Sequence, residues 1–272
     1  MPLINAATDE MMDLQSFCDW VEAQDPLRLQ NIAAWPELWK NFHALHNTPG
    51  LFSGFLAAEL EDGLASFQSD NRYSGQSFIL TRRKGFYLRV NLWPPADDPY
   101  AEVNQGHFDR FYVYGTQYAH DHNFDFLTIG LHGPGYETDL WTYDHSSVVG
   151  CVGEQVALTP QGRKCLTPGT MLLFRKSLDV HAQWPPEELS VSLNFIPEVT
   201  PVSEQYLFDI QAGRIASIEE LLPSIRNLEV LVRELGDSRM KSHLEQMISE
   251  RIEQKEARRA ERRLKGSSGG AA

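Results

Sequence analysis

From Phe111 to Pro197 the chain breaks into short β-rich runs separated by glycine and proline, and this punctuation restricts the fold more than any other feature. Runs such as Met171-Leu172-Leu173-Phe174 and Ser190-Val191-Ser192-Leu193-Asn194 are too short for ordinary helices, and they predict an antiparallel sandwich or barrel. Just upstream, Ser77–Arg82 and Phe86–Trp93 flank Arg83-Lys84-Gly85, which predicts a β-hairpin with glycine in the turn. On a strand, alternate side chains share a face. Phe86, Leu88, Val90 and Leu92 therefore point one way, and Tyr87, Arg89 and Asn91 the other. Residues 94–106, rich in Pro, Asp and Gly, read as loop.

Helical periodicity flanks this β body. Thr8 or Asp9 can cap a first helix whose stripe is Leu14, Phe17, Cys18 and Val21. Asp25-Pro26 restarts the chain, Trp35-Pro36 opens a segment carrying Leu38, Trp39, Phe42 and Leu45, and Asn47-Thr48-Pro49-Gly50 ends it. Leu51–Phe67 predicts a further packed helix with Leu56, Leu60 and Leu64 at a spacing of four. After Pro201 a stripe of Ile218, Leu221, Leu222, Ile225, Leu228 and Leu231 predicts a helix. Leu235-Gly236-Asp237-Ser238 reads as a stop and a new cap, followed by a second helix with Met240, Leu244, Met247, Ile248 and Ile252. The organisation expected is an N-terminal helical segment (1–72), a β-barrel (73–200), a C-terminal helical hairpin (201–265) and a flexible tail (266–272).

Composition bounds the function. About 42% of residues are apolar, which supports a substantial core, and no apolar run reaches the ~18 to 20 residues of a membrane span. The start of the chain lacks the basic and apolar regions of a secretory signal, and Cys18, Cys151 and Cys165 are too scattered for a disulfide framework. A cytoplasmic protein with reduced thiols and no membrane partner is expected. The net charge of −13 argues against nucleic acid as a partner. The one basic stretch, Arg251–Lys265, carries seven Lys or Arg against three Glu and reads as a solvated helix end. The C-terminal helices could also join copies of the chain into a homo-oligomer.

Three histidines carry the chemistry. His120 and His122 are two residues apart and His181 follows 59 residues later, after a Pro168-Gly169 turn and an apolar run. Two imidazoles at i and i+2 on a strand can grip one ion from one side, and a third from a neighbouring strand leaves coordination positions open. Strand alternation sets Asp121, Asn123 and Asp125 on the opposite face, so Asp125 joins the histidines only if a bulge resets the register. His132 has the right parity but lies too far along and reads as a loop residue. Neutral imidazoles leave a divalent charge uncompensated, which favours an anionic substrate group. Arg89 with Tyr87, and Arg110 ahead of Tyr112 and Tyr114, could bind a substrate carboxylate, and Trp141 and Tyr143 could line a pocket. Arg89, Tyr114 and Trp141 are the candidate catalytic residues. The same imidazoles would hold Fe(II), Zn, Mn or Ni.

The stretch from Gly115 to Asn194 resembles the cupin superfamily. Gly115, His120-Asp121-His122 and Gly130 or Gly133 are similar to its first motif, and Gly162, Pro168-Gly169 and His181 to its second. The fold this implies is mainly β with helical additions, a cupin-type antiparallel β-barrel (double-stranded β-helix) flanked by N- and C-terminal helices. Within the superfamily, His120-Asp121-His122, Glu137-Thr138-Asp139-Leu140 and Ser190–Asn194 look like cysteine-dioxygenase-like thiol dioxygenases. That resemblance implies a mononuclear Fe(II) bound by His120, His122 and His181, with O2 and a small-molecule or peptide substrate. The cysteine and tyrosine that some members crosslink would fall near Leu127 and Ile196, so no such crosslink forms here and cysteine itself is not the expected substrate. The helical additions are expected to shape or cover the barrel mouth.

Overall fold

The computed structural model of the chain describes residues 3–65, 67–69, 71, 76–97, 114–198, 204–219 and 230–268. The strands are β1 (Leu3–Ile4), β2 (Ser77–Arg83), β3 (Phe86–Trp93), β4 (Phe126–His132), β5 (Glu137–Thr142), β6 (Thr159–Cys165), β7 (Met171–Phe174), β8 (Asp179–Trp184), β9 (Ser190–Pro197), β10 (Gln205–Asp209) and β11 (Arg214–Glu219). The helices are α1 (Leu14–Glu22), α2 (Pro36–His46), α3 (Leu51–Glu61) and α4 (Ser238–Ser268). Pro26–Ala34 forms 3₁₀ turns.

The chain shuttles between two antiparallel sheets. The larger has the order β1-β7-β4-β9-β3-β2, and the smaller β6-β5-β8. Residues 119–121 act as a further strand of the smaller sheet, because His120 and His181 exchange backbone hydrogen bonds at 3.0 and 2.9 Å. Following the chain from β3 gives larger, smaller, larger, smaller, smaller, larger, smaller, larger. That alternation, with β3 and β4 both on β9 and β5 on β8, is the jelly-roll order of a cupin-type β-fold. The two sheets face each other across one apolar cluster that takes Tyr87, Trp93, Phe126, Leu172, Phe174 and Ile196 from the larger and Leu140 from the smaller.

Alternation in β3 sets the layers. Phe86, Leu88 and Val90 point out of the barrel and meet Phe17, Phe42 and Leu45 of α1 and α2 in the largest cluster. The N-terminal helices thus cover the outer face of the large sheet, not the barrel mouth expected from sequence. The reason is the apolar outer row of β3, β4 and β9, which needs a lid against water. α1 is capped by Asp13, whose side chain accepts the Ser16 N–H, and not by Thr8 or Asp9. α3 ends at Glu61, and Leu60 and Leu64 are 66% and 47% exposed, so the fourfold spacing there does not mark a buried face.

The helix expected from Pro201 onward is corrected at its start. Residues 205–219 form the hairpin β10–β11, with Gly213 at φ +61° near its turn. Tyr206, Phe208 and Ile215 alternate inward against Tyr143, Val148 and Val180, a period of two that outweighs the helical stripe. Leu221 to Leu228 lie outside the described residues. The stop and new cap at 235–238 are present: residues 230–235 are helical and Asp237 accepts the Met240 N–H at 2.8 Å. α4 runs to Ser268, through the first part of the expected tail.

Candidate metal centre

Cross-strand register brings the three histidines to one point. His120 lies directly opposite His181, so both project to the same face of the smaller sheet, and His122 follows at i+2. Nε2 of His181 is 3.0 Å from Nε2 of His122 and 3.2 Å from Nε2 of His120. The ligand atoms of all three lie within 4.8 Å of one another. His181 is 2% exposed and the other two are half-buried. Phe126 and Phe174 close the centre, with ring centroids 4.7 Å from His122 and 4.5 Å from His181.

The segment bearing His120 and His122 is not a regular strand; it bends at Asn123–Phe124 before β4 begins. It is held from both sides. β8 pairs with His120, and β10 pairs on the other edge, where the Phe208 N–H donates to Ala119 O and the Asp121 N–H to Tyr206 O. Oδ1 of Asp121 accepts the Tyr206 N–H and Oδ2 the Tyr143 hydroxyl, both at 2.6 Å. Burial pushes this carboxyl up to about 6 against the pull of those hydrogen bonds. Asp125 accepts the Lys176 N–H at 2.6 Å, and burial raises its carboxyl too. Both acids therefore face away from the histidines as parity predicts. His132 ends β4, exposed and apart from the cluster.

The donor set fits a metal ion. Burial holds the imidazoles of His122 and His181 well below the ordinary histidine range, and the neighbouring histidines add to this. Both therefore favour the neutral form, and the Nε2 atoms converge on one point where a cation could be held. At metal–nitrogen bonds of about 2.1 Å, adjacent donors of a tetrahedral or octahedral shell sit roughly 3.0–3.4 Å apart. The separations of 3.0 and 3.2 Å fall in that interval. Nδ1 of His181 is buried without a hydrogen-bond partner among the described residues, a cost of about 1–3 kcal/mol that a metal on Nε2 would help offset.

The large sheet supplies the facing wall. One cross-strand row runs Arg89–Asn194–Thr128–Leu172 over β3, β9, β4 and β7, and Leu172 belongs to the interior cluster. Arg89 is close enough to His122 and to the buried Tyr136 for its charge to be felt at both. Arg89 therefore stands on the inner face of the large sheet, on the side of β3 that it shares with Tyr87. Tyr114 lies beside β8, but its hydroxyl donates to Pro94 O at 2.9 Å and ties down the chain after β3. Trp141 is corrected. Leu140 is the residue opposite His181, so Trp141 projects to the other face and packs with Ala119, Tyr143 and Val180. Tyr143 belongs to that same cluster, bound to Asp121 and to His145 Nδ1 at 3.0 Å, next to an open groove of about 550 Å³ that also includes Ser147 and Leu178. Arg110 and Tyr112 lie outside the described residues. Sequence reading missed Gln183, Asn194 and Thr128. The parity of β8 from His181 exposes the first. The other two require the pairing of β9 with β3 and β4, which no local pattern gives.

No protein family matches the chain, and no curated protein matches it. Several solved structures are similar over about half of it. Hydroquinone 1,2-dioxygenase from Sphingomonas is 13% identical over 48% of this chain and 70% of its own, with a TM-score of 0.31. A DMSP lyase from Ruegeria pomeroyi is 14% identical over 59% and 74%, with a TM-score of 0.29. A cupin-2 domain protein from Shewanella frigidimarina is 11% identical over 51% and 92%, with a TM-score of 0.25. The fold rests on the strand order above, and no activity passes from these proteins to this chain. Among the described residues no helix is long and apolar enough to cross a membrane.

Proposed function

We propose that the protein is a metal-dependent enzyme in which His120, His122 and His181 hold one divalent ion, and that its reaction is a non-heme Fe(II) oxygenation of a small anionic substrate, amino-acid-like or a peptide end. The observation that carries this reading is the convergence of three imidazoles, His120, His122 and His181, inside a β-sandwich whose facing wall bears Arg89. When bound, Fe(II) would supply Lewis acidity and a site for O2. The chain's own residues do the rest. Arg89 presents a planar guanidinium suited to a carboxylate. The amide of Asn194 donates to Arg89 O at 3.2 Å, which fixes that part of the wall. Tyr87, Trp93, Phe126, Tyr136 and Phe174 line the interior with aromatic surface that excludes water and strengthens the attraction between Arg89 and an anion. Zinc, manganese or nickel on the same histidines would instead support an isomerase or lyase reaction.

The test is metal content of protein purified without added metal, for the native chain and His181→Ala, followed by O2 uptake after anaerobic Fe(II) loading with a panel of amino and hydroxy acids. About one metal per native chain, lost in the variant, with substrate-stimulated O2 uptake is the expected result. Metal without O2 consumption moves the reading to the non-oxidative reactions, and equal metal in both proteins removes the three-histidine centre.

A further inference from the structure

Gln183 stands two residues beyond His181 on β8, so its side chain projects to the same face, and it is 5% exposed. Its amide nitrogen lies 3.4 Å from His181 Nε2, the nitrogen on which the other two imidazoles converge. Its carbonyl oxygen is buried with no hydrogen-bond partner among the described residues. The 3.4 Å separation is again that of neighbouring donors around one ion with bonds of about 2.1 Å. No carboxylate joins the three histidines among the described residues, because Asp121 and Asp125 bind backbone N–H groups elsewhere.

We infer that the carboxamide oxygen of Gln183 is a fourth protein donor of this centre, making a neutral set of three nitrogens and one oxygen. The inference rests on the metal reading above. The two ends of a carboxamide are isosteric, and half a turn about the last side-chain bond exchanges them. Facing imidazole nitrogens alone, the amide has its nitrogen inward. Facing a cation, it points its oxygen inward. One end lacks a partner in either orientation, so the charge at the centre decides between them. A neutral oxygen donor leaves the full 2+ charge of the ion on view to an anionic substrate, as a carboxylate in the same place would not.

Co2+ is the probe, bound to the full-length native chain and to Gln183→Leu, Gln183→Glu and His181→Ala. Affinity comes from chelator competition, and the donor set from the visible absorption of the bound ion. Gln183→Leu, with a native circular-dichroism spectrum, is expected to weaken Co2+ binding about 10-fold or more and to change the absorption bands. Gln183→Glu keeps the side-chain shape and is expected to retain the metal with bands displaced from both. If the Leu and Glu variants match the native protein in affinity and bands while His181→Ala loses the ion, Gln183 is no donor and the three-histidine centre stands. Weaker binding with unchanged bands also overturns the inference, because it places Gln183 outside the donor set. Native affinity in His181→Ala removes the underlying reading instead. Should the Leu variant fail to fold, the bands of the Glu variant decide alone.

Discussion

A methyl group added at Gly130 would lie 2.2 Å from Thr167 O and 2.5 Å from Leu166 O. Both are backbone atoms, so no side chain can swing aside, and β4 must separate from the turn that leads into β7. Gly130→Ala is expected to destabilise the fold by about 1–3 kcal/mol, read as a lower urea midpoint with an unchanged slope. Gly162 is the control: it has φ +81° with nothing within 4 Å of an added Cβ, so alanine there meets backbone strain without a clash. A charge pair on the outer face gives a second residue-scale prediction. Asp139 accepts from Arg163 twice at 2.7 Å and from Trp184 Nε1 at 2.8 Å, and the Arg163 guanidinium holds its carboxyl below the ordinary carboxylate range. A depressed pKa stabilises the fold above the unfolded value of about 3.9, and that stability is lost as pH falls through the folded value. Arg163 is largely exposed, so the pair contributes about 1 kcal/mol or less. Asp139→Asn should therefore be slightly less stable than the native protein at pH 7, and the difference should shrink as pH falls through the folded value of Asp139. A difference that grows on acidification would reverse the assignment.

At the scale of elements, the hairpin β10–β11 matters to the site although it contributes no histidine. It closes the outer edge of the 119–121 segment, and Phe208 seats it against Tyr143. Phe208→Ala empties a fully packed position and is expected to cost about 3–5 kcal/mol. Because that loosens the backbone carrying His120 and His122, metal affinity should fall with it, whereas Phe42→Ala in the helical layer should lower stability alone. The hairpin also marks where sequence reading stopped. Ile218 fitted a helical stripe with the apolar residues that follow it, and the stripe was extended back over residues whose own alternation, Tyr206 and Phe208 inward, is that of a strand. Short elements carry too few residues to decide between periods of 2 and 3.6. The outward and inward rows of β3 were legible because eight residues alternate without a break. The histidine pair was legible for the same reason, although the segment is irregular. Trp141 was misplaced because its facing depends on which residue of β5 opposes His181, and pairing across about 40 residues leaves no local trace.

At the scale of the molecule, the two helical additions stand in different relations to the β body. The N-terminal helices bury Phe17, Trp35, Leu38, Phe42 and Leu45 in one continuous cluster with Phe86, Leu88, Leu193 and Phe195 of the large sheet. Without them the outer row of that sheet would be an apolar patch far larger than a monomer normally exposes. α4 is the opposite case. Met240 and Met247 on its first half are 51% and 54% exposed, and it holds nine of the 24 basic and five of the 37 acidic residues. The helix thus carries a formal +4 and the rest of the chain −17, so the two attract without sharing a core. A chain ending at Asp237 is expected to fold with a melting temperature within a few degrees of the full protein and to bind the same amount of metal. Lacking the +4 of the helix, it should also bind an anion exchanger more tightly and elute later than the full chain. A chain beginning at Gln76 should instead precipitate or bind hydrophobic dyes, with no cooperative melt. If the N-terminal deletion melts cooperatively, the outer row of the sheet does not need its cover. α4 touches the short 3₁₀ turn His145–Ser147, so if the C-terminal deletion loses metal, α4 supports the histidine centre through that turn, and the division of the molecule into a sealed body and an appended helix would have to be redrawn.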